Sequence, residues 1–113
     1  MGIGVVTDEV IAEMVERIVA EVQPEQVYLF GSRARGEGRE DSDVDLLVVE
    51  REPFGEGRSR FAELNRMYES LSSFAIAIDV LVFSADEVRK WGASRYHVLG
   101  RCRREGRLLY DRA

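Results

Sequence analysis

The sequence of 113 residues has room for one domain, and we expect residues 1–113 to form it. Hydrophobic residues make up 45% and charged residues 33%, which is ordinary for a globular protein and argues against disorder. No apolar run approaches the roughly 20 residues that a membrane-spanning helix needs, and Met1 to Val6 lacks the segments of a secretory signal. The single cysteine, Cys102, cannot form an internal disulfide and is expected to be a small half-buried hydrophobe. These features favour a cytoplasmic protein.

The first half of the chain predicts one helix and two strands. Thr7 is placed to cap the helix at its start, and Pro24 stops it. Apolar residues recur at helical spacing before Pro24, and two short apolar runs follow it. The predicted elements are a helix over 8–22, a strand over Val27–Phe30, a loop over 31–42 with one helical turn after Ser32, and a strand over Val44–Val49.

The second half predicts three helices and two strands. Ser84, followed three residues later by Glu87, has the pattern of a capping box at a helix start. The predicted elements are a connection over 51–57, a helix over Phe61–Leu71, a strand over Ile76–Phe83, a short helix from Ser84 to about Trp91, a helix over 93–105 and an edge strand over Leu108–Tyr110. This alternation predicts an α/β (α+β) domain with a mixed β-sheet flanked by helices.

The net charge of −5 conceals an asymmetry along the chain. From Arg89 onward there are 8 basic and 2 acidic residues, whereas residues 1–88 hold 8 basic and 19 acidic residues. The basic segment favours a solvated arginine-rich helix face, and the alternative is a surface that binds a polyanion or an acidic partner. We expect no direct nucleic-acid binding, and this face leaves a homodimer or a hetero-oligomer open.

Three aspartates interrupt the apolar strands. Asp43 and Asp45 are two residues apart, so their side chains point to the same face of an extended strand. Asp79 lies inside the third apolar run, where an unpaired carboxylate would be costly to bury. Converging carboxylates repel by about 4 kcal/mol per pair at ~4 Å, and a hard divalent cation removes that penalty. The pattern therefore predicts a Mg²⁺ site at these aspartates, with strand-edge solubility and salt bridges to arginines as the alternatives.

A second candidate feature lies at the end of the first strand. Gly31 lets the backbone turn tightly and approach a ligand closely. If a helical turn starts at Ser32, its N–H groups and its hydroxyl would face a phosphate. Arg33 and Arg35 would neutralise more phosphate charge, although an ordinary tight turn and a solvated Arg35 are the alternatives.

Other motifs fail at specific residues. Gly31 and Gly36 have the glycine spacing of a P-loop, but Glu37 stands where the lysine belongs. A zinc cluster built on histidines is excluded because His97 is the only histidine, and it is expected to pack or face solvent within the last helix. Trp91 is expected to lie in the core or against a partner rather than on a base.

The combined spacing is that of a known superfamily. Gly31-Ser32, ten intervening residues, Asp43-Val44-Asp45 and a later Asp79 resemble the DNA polymerase β-like nucleotidyltransferases. Residues 31–36 and 41–46 resemble its stand-alone minimal nucleotidyltransferases (MNT), and the resemblance spans about residues 8–110. It implies the polymerase β-like fold and two Mg²⁺ ions held by Asp43 and Asp45, with Asp79 completing the site beside the acceptor. It also implies that Gly31 and Ser32 bind the phosphates of an NTP.

The resemblance further implies a reaction and a partner. Such enzymes transfer a nucleoside monophosphate to a hydroxyl, and Asp79 is preferred over Asp45 as the general base. MNT proteins similar to this one act as antitoxins and transfer AMP from ATP to a tyrosine of a HEPN toxin. We therefore expect a protein adenylyltransferase that is the antitoxin of a type VII-like pair. The alternatives are transfer to a small molecule with a partner subunit, and a non-enzymatic antitoxin that binds through its basic tail. The preferred NTP base and the oligomeric state stay open.

Overall fold

The computed structural model describes residues 6–36 and 43–112, which form a mixed α+β domain. Its elements are α1 (Asp8–Val22), β1 (Gln26–Phe30), β2 (Val44–Glu50), α2 (Arg60–Ser70), β3 (Ile78–Ser84), α3 (Ala85–Trp91), α4 (Val98–Glu105) and β4 (Arg107–Asp111). The predicted fold class is confirmed. Within these ranges, no helix combines the length and the apolar character needed to cross a membrane.

The strands form one mixed sheet in the order β3-β2-β1-β4. Strand β1 runs antiparallel to β2 and to β4, whereas β2 runs parallel to β3. The parallel pair is joined through α2, because parallel neighbours need a crossover and not a hairpin. Strands β3 and β4 are therefore the two edges, and the predicted edge strand near the end of the chain is confirmed as Arg107–Asp111.

The two faces of the sheet carry different cores. Because side chains alternate along a strand, Leu46 and Val48 of β2 face the side of α1 and α2, whereas Leu47 faces α4. The first face is covered by the larger apolar cluster, in which Met14 and Met67 are fully buried. Each such side chain contributes roughly 1.5–3 kcal/mol by burial, so this face supplies most of the apolar stabilisation. The second face has a smaller cluster around Leu47, Leu99 and Cys102.

Local capping chemistry fixes two helix starts as predicted. The Thr7 hydroxyl oxygen accepts a hydrogen bond of 3.1 Å from the Val10 N–H at the start of α1. At the start of α3, the Ser84 hydroxyl accepts from the Glu87 N–H and the Glu87 carboxylate accepts from the Ser84 N–H, which completes the capping box. Gln23, in the left-handed conformation, ends α1 directly before Pro24.

The predicted start of the last helix is wrong. Helix α4 begins at Val98 and not at residue 93, because the His97 side chain is its N-cap and accepts a 3.1 Å hydrogen bond from the Leu99 N–H. The His97 ring also stacks on Trp91, with centroids 5.1 Å apart. His97 is thus a capping residue that precedes the helix, and half-exposed Trp91 packs on that cap and is not a core residue.

The third strand begins later than predicted. Strand β3 starts at Ile78 and not at Ile76, because its partner β2 starts at Val44 and the two strands pair from Val44 and Ile78 onward. Ala77 contributes only its carbonyl, which accepts a 3.0 Å hydrogen bond from the Val44 N–H. The parallel pairing of β2 with β3 therefore begins at Val44 and Ile78.

Candidate active site

The sheet register brings two of the predicted aspartates side by side. In the parallel pairing of β2 with β3, Asp45 lies directly opposite Asp79. Laterally paired residues point to the same face of a sheet, and Asp43, two residues before Asp45, shares that face by alternation. This is the face of Leu47 and α4. The three carboxylates are therefore grouped at one end of one sheet face.

Burial falls on a different aspartate from the one expected. The sequence predicted a costly buried carboxylate at Asp79, but Asp79 is exposed on the edge strand β3, and Asp45 is the one that is half-buried. The prediction was wrong because the direct neighbours Ile78 and Val80 pack on the opposite side of the sheet, and β3 is an edge strand. Edge-strand solubility would account for an exposed Asp79, yet it does not require Asp79 to stand directly beside Asp45.

The electrostatics of Asp45 tie the three aspartates together. Burial raises the pKa of Asp45, and the negative charges of Asp79 and Asp43 raise it further. An arginine paired with Asp45 would lower that pKa, whereas all three causes act upward. Within residues 6–36 and 43–112, no arginine therefore acts on the pKa of Asp45, and its surroundings favour a cation or a proton.

Gly31 packs directly against this carboxylate. Its φ of +76° lies in the left-handed region, and a Cβ at this position would come within 2.4 Å of Asp45 Oδ2. Any other residue would be strained there and would push on Asp45. The Gly31 carbonyl accepts hydrogen bonds from the Ala34 and Arg35 N–H groups at 3.2 and 3.4 Å, so the predicted helical turn is present. Ser32, half-buried, follows Gly31 in this turn.

The turn places its two arginines in different surroundings. Arg33 lies beside Asp8, Leu29 and Arg107, on the α1 side of the sheet. Arg35 lies on the α4 side, where its Nη1 atom is 3.5 Å from Glu105 Oε1. Of the two predicted phosphate ligands, only Arg35 is thus on the side of the carboxylates.

A hydrogen bond next to Asp79 gave no signal in the sequence. The Tyr68 hydroxyl oxygen accepts a 2.8 Å hydrogen bond from the Val80 N–H on the outer edge of β3. The periodicity of α2 indicated only an apolar position at Tyr68, because hydrogen bonding by a side chain to a distant strand leaves no local pattern. Tyr68 thereby holds the backbone beside Asp79.

Cys102 has no reactive character in this setting. It is buried, and burial raises the pKa of its thiol to about 11. The positive charge of Arg101 lowers this pKa, whereas the negative charges of Glu105 and Asp45 raise it. The predicted packing role agrees with this position. Because the charge of Asp45 acts on the thiol of Cys102, Asp45 lies close to α4.

The donor set suits a hard divalent cation. Carboxylate oxygens are the ligands that Mg²⁺ prefers, and Asp45 is flanked by two further carboxylates on its own face. Over residues 6–36 and 43–112, no three His, Cys, Asp or Glu side chains stand close enough to hold a metal ion as arranged. Of the motif residues, Asp41 and Ser42 lie outside the described residues, as does Glu37.

Comparison with known families decides the class of the domain. The sequence profile of the nucleotidyltransferase domain family matches residues 11–96, a range that contains Gly31, Ser32 and all three aspartates. The chain belongs to this family. The matched range of this nucleotidyltransferase domain thus includes the glycine turn and the carboxylates that lie on one face of its sheet.

One curated relative is similar over part of the chain. It comes from Methanocaldococcus jannaschii, carries the name "Putative protein adenylyltransferase", and is 39% identical over 57 residues. The aligned stretch covers 50% of this nucleotidyltransferase domain chain and 57% of the relative. The match therefore spans little more than half of that protein.

Solved structures share the fold over most of the chain. A "putative nucleotidyltransferase" from Sulfolobus solfataricus has a TM-score of 0.59 at 26% identity, over 92% of this chain and 79% of that one. A toxin–antitoxin structure with AMP-PNP has a TM-score of 0.54, over 88% of this chain and 73% of that one. A mutant of the toxin–antitoxin pair MntA–HpeT has a TM-score of 0.57, over 94% of this chain and 73% of that one. Both toxin–antitoxin structures are 19% identical and show the fold alone.

Proposed function

We propose that this nucleotidyltransferase domain transfers AMP from ATP to a tyrosine hydroxyl of a HEPN-type toxin, and so acts as the antitoxin of a type VII-like pair. The observation that carries the proposal is the register of β2 and β3, which sets Asp45 beside Asp79 while Gly31 packs on Asp45. In this proposal, the turn that binds phosphates and the carboxylates that bind metal meet at Asp45. That is the arrangement needed for displacement at an α-phosphorus.

The aspartates have distinct proposed roles. Asp43 and Asp45 would hold two Mg²⁺ ions, and Asp79 would complete the site beside the acceptor. When bound, such ions stabilise the charge on the attacking and leaving oxygens of an in-line displacement. The raised pKa of Asp45 supports this assignment, because a cation would relieve the repulsion from Asp43 and Asp79.

The remaining steps fall to the side chains and backbone of the domain. The backbone of Gly31 and the hydroxyl of Ser32 would bind the β- and γ-phosphates, with Arg35 and Arg33 as further cations. As the acceptor oxygen bonds to the α-phosphorus, the bond from that phosphorus to pyrophosphate breaks. The acceptor proton passes to the Asp79 carboxylate, whose exposure leaves it accessible to a hydroxyl from a partner. Pyrophosphate leaves on the side of Gly31 and Ser32.

The toxin partner is supported by two of the similar folds and by the curated relative. Two structural neighbours are toxin–antitoxin assemblies, and one of them contains the ATP analogue AMP-PNP. The relative from Methanocaldococcus jannaschii is named for transfer of adenylate to protein. An exposed Asp79 on an edge strand suits an acceptor that arrives on another protein.

The test follows the label from ATP. The chain is co-expressed and purified with a HEPN-type toxin protein, then incubated with Mg²⁺ and ATP labelled at the α-phosphate. Label on a tyrosine of the partner is the expected result. The control is the double substitution Asp43→Asn with Asp45→Asn, which should abolish labelling. Label recovered on a small molecule would replace the proposal with the second enzyme class. Toxin neutralisation that persists in the double variant would instead indicate occlusion without chemistry.

A further inference from the structure

A pocket of about 270 Å³ opens beside Gly31 on the sheet face of the carboxylates. Its lining consists of Phe30, Gly31, Arg35, Val98, Arg101, Cys102 and Glu105. Apolar groups from β1 and α4 form part of the wall, and three charged side chains complete it. The charge of Asp45 raises the pKa of Cys102, which places this pocket within electrostatic reach of the candidate active site.

One carboxylate oxygen joins two arginines in this pocket. Glu105 Oε1 lies 3.5 Å from Arg35 Nη1 and 3.5 Å from Arg101 Nε. Both distances are at the long end for ion pairs with hydrogen bonds, and the Arg101 side chain is 67% exposed. Exposed pairs of this kind contribute about 0–1 kcal/mol, so a more highly charged anion displaces them readily.

The turn and the helix thus bring two guanidinium groups to the same carboxylate oxygen. Arg35 comes from the turn that follows Gly31, and Arg101 comes from α4. Guanidinium groups bind phosphate oxygens with paired charge-assisted hydrogen bonds, which are stronger than a single loose contact with a carboxylate. An uncharged base or ribose would offer these two groups no compensating charge. The position beside Gly31 therefore fits the anionic tail of a nucleotide.

We propose that Arg101 is a second phosphate-binding residue, and that Glu105 is a resident counter-anion which the triphosphate displaces from Arg35 and Arg101. This inference rests on the proposed function, because it requires an NTP whose phosphates lie beside Gly31. It adds a residue of the last helix to a site otherwise built from the turn and the strands. Glu105 then lowers the affinity of the free domain for phosphates and holds both arginines in place.

The first experiment compares two arginines of the same helix. Arg101→Gln removes the proposed ligand, and Arg103→Gln is the matched control, because Arg103 packs toward Gly92 and is not part of the pocket lining. Binding of ATP and of AMP, each with Mg²⁺, is measured by calorimetry on folded protein verified by thermal melting. We expect Arg101→Gln to weaken ATP binding about tenfold and to leave AMP binding within about twofold. Arg103→Gln should leave both affinities within about twofold.

The second experiment removes the competing carboxylate. Glu105→Gln keeps the shape of the side chain and should tighten ATP binding about two- to fivefold, with no comparable gain for AMP. A double variant that carries Arg101→Gln as well should lose part of that gain, because one of the two released arginines is then absent. Unchanged or weaker ATP binding in Glu105→Gln would overturn the role of Glu105.

The outcomes separate this inference from the function on which it rests. If the unchanged protein binds neither nucleotide, the proposed function fails and the inference falls with it. If it binds ATP but Arg101→Gln and Arg103→Gln behave alike, only the inference is overturned. Equal weakening of ATP and AMP binding by Arg101→Gln also overturns it, because the contact would then be with the nucleoside monophosphate part.

Discussion

Two carboxylates on strand β2, Asp45 and Glu50, stand at opposite ends of the strand and in contrasting environments. Glu50 is only 3% exposed, and its Oε1 atom lies 2.6 Å from Arg58 Nη2. Burial and the neighbouring Glu63 raise the pKa of Glu50 to about 7. Asp45 is half-buried on the other face of the sheet, and the two groups that raise its pKa besides burial are acids.

The difference lies in the charged groups around each carboxylate. Glu50 has positive neighbours within the protein: burial and Glu63 raise its pKa, whereas Arg58 and Arg66 lower it. That balance is incomplete, since Glu50 Oε2 and Arg58 Nη1 are buried without a hydrogen-bond partner in the described part of the chain. Among the residues that the structure describes, the charges that act on the pKa of Asp45 are those of the acids Asp79 and Asp43. A buried acid with its own arginine indicates a structural role, and grouped acids beside a glycine turn indicate a ligand site.

The largest effect is expected from breaking the Asp45 end. Asp45→Asn should lower the rate of nucleotidyl transfer by about a thousandfold or more, because the site loses a proposed metal ligand that is flanked by the other two aspartates. The free energy of unfolding should stay equal or rise, since the raised pKa shows that the charged form is disfavoured in the folded state. Label transfer from ATP and urea unfolding measure the two quantities on the same preparation.

Lost transfer activity together with unchanged or higher stability is the result expected for a residue of a ligand site. A variant that loses activity together with stability would indicate that Asp45 holds the fold. Asp79→Asn is a second check on the same face: its side chain is exposed, so it should unfold at unchanged urea concentration. A clear loss of stability in both variants would contradict the contrast between the two ends of β2.

At the Glu50 end we expect a smaller effect, which falls on stability and not on activity. Arg58→Met keeps an unbranched apolar side chain but removes the guanidinium, which faces Glu50 and lies over the Phe54 ring. The free energy of unfolding should fall by about 2 kcal/mol at neutral pH, below the full cost of an unpaired buried charge because Glu50 can take up a proton. Transfer activity per folded molecule should be unchanged. Activity lost at full stability would place Arg58 in the active site instead.

The sequence also predicted more of the Asp45 end of β2 than of the Glu50 end. Gly31-Ser32 and the aspartates form a spaced motif, so the candidate site and the fold class followed from it. Helix caps at Thr7 and Ser84 were predicted because capping depends on residues three apart.

What the sequence could not supply was pairing between distant residues. The register that sets Asp45 opposite Asp79, and the exposure of Asp79, depend on how β2 meets β3 across more than thirty residues. The pairs Glu50–Arg58 and Arg35–Glu105 arise in the same way and left no local pattern. The start of α4 was misplaced because its cap, His97, is not among the usual capping residues and also stacks on Trp91.

The last prediction concerns the pH dependence of stability that Glu50 confers. Its folded-state pKa of about 7 lies above the ordinary value of 4.5, so the folded protein retains a proton that the unfolded chain releases. The stability contributed by that proton is complete below pH 4.5 and is lost as the pH rises through about 7. Glu50→Gln should flatten this decline, as measured by urea unfolding at several values between pH 5 and 8. The control, Glu52→Gln, lies on the exposed segment after β2 and should leave the slope unchanged.

The neighbours of Glu50 give this prediction a second test. The groups that act on Glu50 are Glu63 of α2, which raises its pKa, and the arginines Arg58 and Arg66, which lower it. Glu63→Gln removes the acid neighbour while keeping a hydrogen-bonding side chain, so the pKa of Glu50 should fall and the decline should move to lower pH. If the decline of the free energy of unfolding with pH is unchanged in both Glu50→Gln and Glu63→Gln, other groups set the pH dependence. In that case the Glu50 end of β2 would carry an ordinary ion pair, and the contrast with Asp45 would rest on burial alone.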